Sequence, residues 1–237
     1  MKDSMAPMSG AARSNRLAGS LLVVAVAFSL PFLGSLRVFI DGTRPHAIPQ
    51  IAVAAGVVQM ILSLCVLAYV LAQRGLGLRD LGFRFSAWDL PVALILLMVG
   101  SIASRLAYTG EWYAYGTIMG HAPTLNPYPS VFDGGFTLMV TLFVVIDPFV
   151  EELIGRAFII SEIDFFTGQR WLGVLISVAI TSSYHLYEGW IAIMPVAALF
   201  LVFAIYYARA RRVWPIIIAH LAYDLIVLAQ RLDYKGF

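Results

Sequence analysis

Charge and cysteine are what this sequence has least of. Only 13% of its 237 residues are Asp, Glu, Lys or Arg, about half the share usual in a soluble domain. A single cysteine, Cys65, leaves no partner for a disulfide and no CxxC pair for metal or redox work. The 16 basic and 14 acidic side chains nearly cancel, at +2, which excludes the basic field a nucleic-acid binder needs. Inverted repeats of the transporter kind and low-complexity tracts are also missing. What is present is apolar: 60% hydrophobic residues and a mean hydropathy of +0.84. At about 20 helical residues per crossing of a ~30 Å hydrocarbon layer, a chain of this length holds up to about eight spans and no separate soluble domain.

Apolar runs punctuated by polar residues, Gly or Pro fall at about 17–39, 47–72, 88–108, 136–160, 171–187, 190–208 and 212–231. They predict an all-α, multi-pass transmembrane helical bundle of about seven spans, one integral-membrane domain over 1–237 with a motif-bearing core at about 136–231. Lys2, Arg13 and Arg16 before the run Leu17 to Leu33 resemble the start of a signal peptide, but the run is longer than a typical h-region and no small-x-small cleavage site follows. Ten basic residues (Lys2, Arg13, Arg16, Arg74, Arg79, Arg84, Arg170, Arg209, Arg211 and Arg212) fall on one side of this topology and five (Arg37, Arg44, Arg105, Arg231 and Lys235) on the other, with Arg156 inside a span. The positive-inside rule then places the N-terminus in the cytoplasm. The longest connection, Thr109 to Gly135 with Pro123, Pro127 and Pro129, reads as an amphipathic interfacial loop on the far side.

Ionisable residues inside spans cost about 3 kcal/mol each on insertion scales and are functional hypotheses by default. The first three spans carry no acid or histidine well inside their bounds. The fourth reads Asp147-Pro148-Phe149-Val150-Glu151-Glu152-Leu153-Ile154-Gly155-Arg156, the fifth carries His185, and the seventh His220 and Asp224. Four-residue spacing pairs Glu152 with Arg156 and puts His220 and Asp224 on one face. In a regular helix Glu151 is turned about 100° from Glu152, shares a face with Asp147, and has no cation of its own. A carboxylate so placed suits general-base work. Pro148 removes a backbone N–H beside it, a break tolerated at membrane depth where the helix is buried or lines a wet cavity. Counted from the cytoplasmic ends of the spans, Glu151, His220 and Asp224 lie roughly 13, 12 and 18 Å deep and His185 roughly 21 Å, so the fifth span has to start later or tilt. Cys65, His46 and His121 read as structural or surface residues, and Asp147 and Glu188 equally well as helix-end or as catalytic groups.

Three ordered motifs carry a resemblance: Glu151-Glu152-x-x-x-Arg156, His185 within Ser182-Ser183-Tyr184-His185-Leu186-Tyr187-Glu188-Gly189-Trp190, and His220-x-x-x-Asp224. Together they resemble the CAAX protease and bacteriocin-processing (abortive-infection) family of multi-pass intramembrane endopeptidases. Arg79-Asp80-Leu81-Gly82-Phe83-Arg84 resembles the linker that often precedes that family's core. The chain departs from the family at Thr181, where Phe is usual, at Ala157, where Gly often follows the arginine, and at Asp224, where Asn is commoner. The resemblance implies Glu151 as the base that activates water, His185 as its positioning partner, His220 with Asp224 at the oxyanion, and Glu152 with Arg156 as scaffold. It implies a peptide or membrane-anchored protein as substrate, the lipid bilayer as surroundings, and a prokaryotic cytoplasmic membrane as location. No cofactor is required on this reading. Two histidines plus carboxylates are also a zinc donor set, with Glu151 acting on metal-bound water, although the spacing is no HExxH. An ionised Asp224 cannot donate to an oxyanion, so Asp224 is either protonated or orients His220.

Three rivals stand beside this reading. A Ser182–His185–Glu188 triad on one helix fans round the axis and fails geometrically. A proton-coupled carrier would use Asp147, Glu151, His185 and His220 as a relay. A non-catalytic immunity or scaffold member would keep the fold alone. Oligomeric state is not encoded in any feature found.

Overall fold

The computed structural model describes residues 9–41, 48–121 and 137–235. Its helices are α1 (Gly10–Asp41), α2 (Gln50–Gln73), α3 (Asp89–Met119), α4 (Leu138–Val150), α5 (Ile159–Thr167), α6 (Arg170–Ser183), α7 (Trp190–Ala210) and α8 (Trp214–Lys235). A π-helical segment, Glu151–Phe158, joins α4 to α5 in one rod, and 3₁₀ turns occupy Leu78–Leu81 and Leu186–Glu188. Seven rods result, matching the seven apolar runs, and no strand occurs among the described residues. Among the described residues four helices are long and apolar enough to cross a membrane: Gly10–Ile40, Gln50–Gln73, Asp89–Met119 and Ile191–Ala210. Lys2, Arg44, His46 and the proline-bearing connection from 122 lie outside the described residues, as do the side chains of Arg231 and Lys235.

Apolar side chains face both inward and outward. Val23, Phe28, Leu67, Ile154, Phe158, Phe203 and Ile217 are buried in one core, while Leu21, Leu30, Ile51, Leu62, Leu94 and Leu106 are exposed along the outer faces of α1, α2 and α3. An exterior this apolar fits lipid as its solvent. Within the bundle α3 packs on α7 and α8, α6 on α5 and α7, and α2 on α1 and α4. Proline breaks are repaired locally. Pro31 removes the N–H that would meet the Ala27 carbonyl, and the Gln59 amide of α2 donates there instead, at 3.2 Å, and to Val26 at 3.1 Å.

Three groups of arginine–carboxylate pairs join different rods at one end of the bundle. Arg16 and Arg74 both reach the buried Glu162, at 2.7 and 3.2 Å. Asp164 takes Arg170 at 3.1 Å and Arg211 at 2.6 Å, and Asp89 takes Arg212 at 2.7 Å. These pairs tie α1, α2, α3, α5, α6 and the α7–α8 turn together where the sequence placed its basic side.

The Arg79–Arg84 linker is a clamp on that turn. Gly82 has φ +84°, and a Cβ there would overlap the Arg211 carbonyl oxygen. The Gly82 carbonyl accepts the Val213 N–H at 3.3 Å, and the Leu81 carbonyl accepts the Tyr207 hydroxyl at 3.2 Å. Gly82→Ala should therefore cost about 2–4 kcal/mol through left-handed strain and steric overlap. The measurement is the thermal unfolding midpoint in detergent. Gly77→Ala is the control, because nothing lies within 4 Å of a Cβ at that residue.

Three expected span boundaries are corrected. α3 continues to Met119, so Arg105 sits within a helix rather than in a far-side loop, and Glu111 becomes an acid of the third rod. The fourth rod runs on to Thr167, seven residues past 160. The fifth ends at Ser183, so His185 lies on a turn beyond it. The last two corrections bring Glu151 and His185 to one level. Measured from the Gly168 turn, Glu151 and His185 are both roughly 20–24 Å up their rods.

Candidate active site

The site grows from the π-helical segment, whose eight residues are all buried. A π turn closes on i+5 instead of i+4, as where the Ile159 N–H meets the Ile154 carbonyl. Side chains five apart are thereby drawn onto one face. Glu152 lies 3.4 Å from Arg156 Nε as four-residue spacing predicts, but Glu151 also reaches Arg156, with Oε2 at 3.6 Å from Nη1. The expectation that Glu151 has no cation in its own helix is corrected, because the helix is not the regular one assumed. Arg156 Nη1 also donates to the Glu151 carbonyl at 3.2 Å. The guanidinium lies 3.8 Å over the Phe200 ring of α7, a face that attracts cations.

His185 comes from the turn after α6. Its Nδ1 is 2.8 Å from Glu188 Oε1, and its Nε2 faces Glu151 Oε1 at 4.0 Å, with no hydrogen-bond partner among the described residues. The turn is held by α1: Tyr184 stacks on Phe28 at 5.5 Å between centroids, and the Tyr187 N–H donates to Ser35 Oγ at 2.7 Å. The first rod, which carries none of the motifs, thus positions the second motif. The serine triad does not form. His185 and Glu188 lie beyond α6, which still holds Ser182, and neither the Ser182 hydroxyl nor His185 Nε2 has a hydrogen-bond partner among the described residues.

His220 enters from α8. Its Nδ1 is 2.8 Å from Glu152 Oε1, and its Nε2 lies 3.7 Å from Asp224 Oδ2. The contact to Asp224 exceeds hydrogen-bond length, so the residue that orients His220 is Glu152 rather than Asp224. Asp147, one turn before Glu151, closes the group: its carboxylate, His220 and Asp224 offer ligand atoms within 4.8 Å of one another, as do Glu151, Glu152 and His220.

All six residues of the motifs, Glu151, Glu152, Arg156, His185, His220 and Asp224, therefore meet in one buried cluster. Thr181 and Ala157, the other departures from the family pattern, are fully buried packing residues; Thr181 Cγ2 would stand 3.1 Å from a Cβ at Gly155. Phe200, beneath Arg156 and 5.4 Å from the His220 ring centroid, was not foreseen. An apolar residue in an apolar run gives no signal. The arrangement offers a carboxylate and an imidazole nitrogen facing across a gap, and a second imidazole nearby, in a water-poor setting where such groups act strongly.

Residues 133–226 match the family model described as type II CAAX prenyl endopeptidase Rce1-like. No curated protein and no solved structure matched the chain.

Proposed function

We propose, from the match of residues 133–226 to the type II CAAX prenyl endopeptidase Rce1-like family model and the site's geometry, that this membrane protein is a CAAX-type intramembrane endopeptidase that hydrolyses a peptide bond through a water activated by Glu151. The observation that carries the reading is the 4.0 Å separation of His185 Nε2 and Glu151 Oε1. Two acceptors about 4–4.5 Å apart are the span that one water bridges when it donates a proton to each at about 2.8 Å. Such a water has both protons held and a lone pair free to attack a carbonyl carbon. Glu151 takes one proton as the C–O bond forms, and passes it to the leaving nitrogen as the C–N bond breaks.

His220 is the donor nearest the place where negative charge then develops. Its Nδ1–H is committed to Glu152, so donation to an oxyanion falls to Nε2, which requires the imidazolium form. Glu152 and Asp224 flank it and balance that charge. Arg156, held between the two glutamates, fixes both carboxylates in place.

The two donor groups around His220 have the composition of a metal site. Arg156 argues for metal-free chemistry, since it already supplies the cation that Glu151 and Glu152 face. We expect EDTA and 1,10-phenanthroline to leave cleavage by the purified protein within about twofold. Loss on chelation, restored by Zn²⁺, would assign the His220 group to a metal instead.

The substrate on this reading is a peptide or the tail of a membrane-anchored protein, and the end of the bundle rich in Arg pairs faces the cytoplasm. The test compares peptide termini by mass spectrometry in membranes of cells carrying either the parent chain or Glu151→Gln at matched levels. Termini found only with the parent establish proteolysis and identify the substrate. Identical profiles, with both proteins folded, would transfer the assignment to a non-catalytic scaffold or a carrier.

A further inference from the structure

We infer that Glu188 is the positioning residue that fixes His185 for this reaction, an inference that rests on the proposed protease activity. The motif-two histidine lies outside any regular helix, between Tyr184 and the 3₁₀ turn Leu186–Glu188, so helical geometry does not set its ring. Something else has to. Glu188 Oε1 stands 2.8 Å from His185 Nδ1, and both side chains are largely buried, at 18% and 14% exposure.

An ionised carboxylate only accepts hydrogen bonds. His185 Nδ1 is therefore the protonated nitrogen, and the choice at one ring nitrogen decides the other. In the neutral ring Nε2 carries a lone pair, and that lone pair points at the 4.0 Å gap to Glu151 Oε1. With the opposite tautomer Nε2–H would point into the gap, which would no longer present two acceptors to a water. Glu188 therefore selects the tautomer that holds the attacking water, besides fixing the plane of the ring. The spacing His185-x-x-Glu188 achieves this within one tight turn. Ser35 pins that turn at the Tyr187 N–H, and Phe28 pins it at Tyr184.

Outer carboxylates that orient an active histidine typically change function by about 10–100-fold when removed. For the full-length protein acting on a peptide that the parent cleaves, Glu188→Ala should lower kcat by that factor with KM within about threefold. Glu188→Gln should recover most of the loss, because its amide carbonyl still accepts the Nδ1–H at the same reach. A merely structural role would lower the melting temperature of Glu188→Ala and leave kcat per folded molecule unchanged. A measurement that needs no turnover accompanies this. In protein carrying ¹⁵N-histidine, the His185 shifts should report the Nδ1–H tautomer in the parent and in Glu188→Gln, and lose that signature in Glu188→Ala. If the parent cleaves nothing, the protease reading fails while the tautomer experiment still decides the role of Glu188. The inference is overturned by a Glu188→Ala variant with kcat within twofold of the parent, by a Glu188→Gln variant as slow as Glu188→Ala, or by His185 shifts that Glu188→Ala leaves unchanged.

Discussion

Glu151→Gln is expected to reduce peptide cleavage by about 10²–10⁴-fold, the range a positioned general base contributes, with little change in folding. The residue is 4% exposed. Its Oε2 faces Arg156 at 3.6 Å, and its Oε1 faces His185 at 4.0 Å. The amide keeps the shape and an oxygen for Arg156 but cannot take a proton from water. Glu152→Gln is the informative companion. It removes a charge from the adjacent position, yet the amide can still accept from His220 Nδ1, so the loss should be smaller. Rates of the purified protein on a defined peptide, compared at equal folded concentration, decide the matter. Equal losses in the two variants would count against a division of labour between the glutamates.

Arg156→Leu should produce the largest loss of stability. The guanidinium is fully buried, faces both carboxylates and lies on the Phe200 ring. Removing one partner of a buried ion pair leaves an uncompensated charge, at about 3–5 kcal/mol, and here two carboxylates lose their cation together. Arg156→Lys keeps the charge but loses the planar fork that spans both glutamates, and should fall between. Adding Glu152→Gln to Arg156→Leu should recover part of the loss, since one of the stranded charges is then absent. The measurement is the thermal midpoint in detergent for the two single variants and the double, and a purely additive cycle would show that Glu152 and Arg156 do not act on each other.

The seven rods were legible because the bilayer imposes long apolar runs, and their punctuation survives folding. The residues of the site were legible for the complementary reason, that acids and histidines in such runs are conspicuous. Hydropathy reports burial in lipid rather than helicity, which is why α3 was cut short. Glu111, Trp112, Tyr113 and Tyr115 are polar or aromatic, yet they continue the helix to Met119. The same confusion ended the fourth rod too soon and carried the fifth past Ser183. Pro148 signalled a disturbance beside Glu151, but not that the helix would widen and bring Arg156 to both glutamates. The contact of Glu188 with His185 Nδ1 was hidden by placing both on one helix, where a residue three positions away is a neighbour of no special meaning.

The π-helical segment also fixes a count. Each of its turns holds more residues than an α turn, so the rod from 138 to 167 contains surplus chain between two stretches of ordinary helix. Deleting one residue from Leu153–Gly155 would let the rod rewind toward a plain α-helix with its two ends aligned much as before. Arg156 would then stand four positions after Glu151 and three after Glu152, spacings that an α-helix also places on one face, so both ion pairs should re-form. The candidate site is thus written at five-residue spacing by surplus length stored in one helix, and such a deletion separates the need for that surplus from the need for the ion pairs it carries.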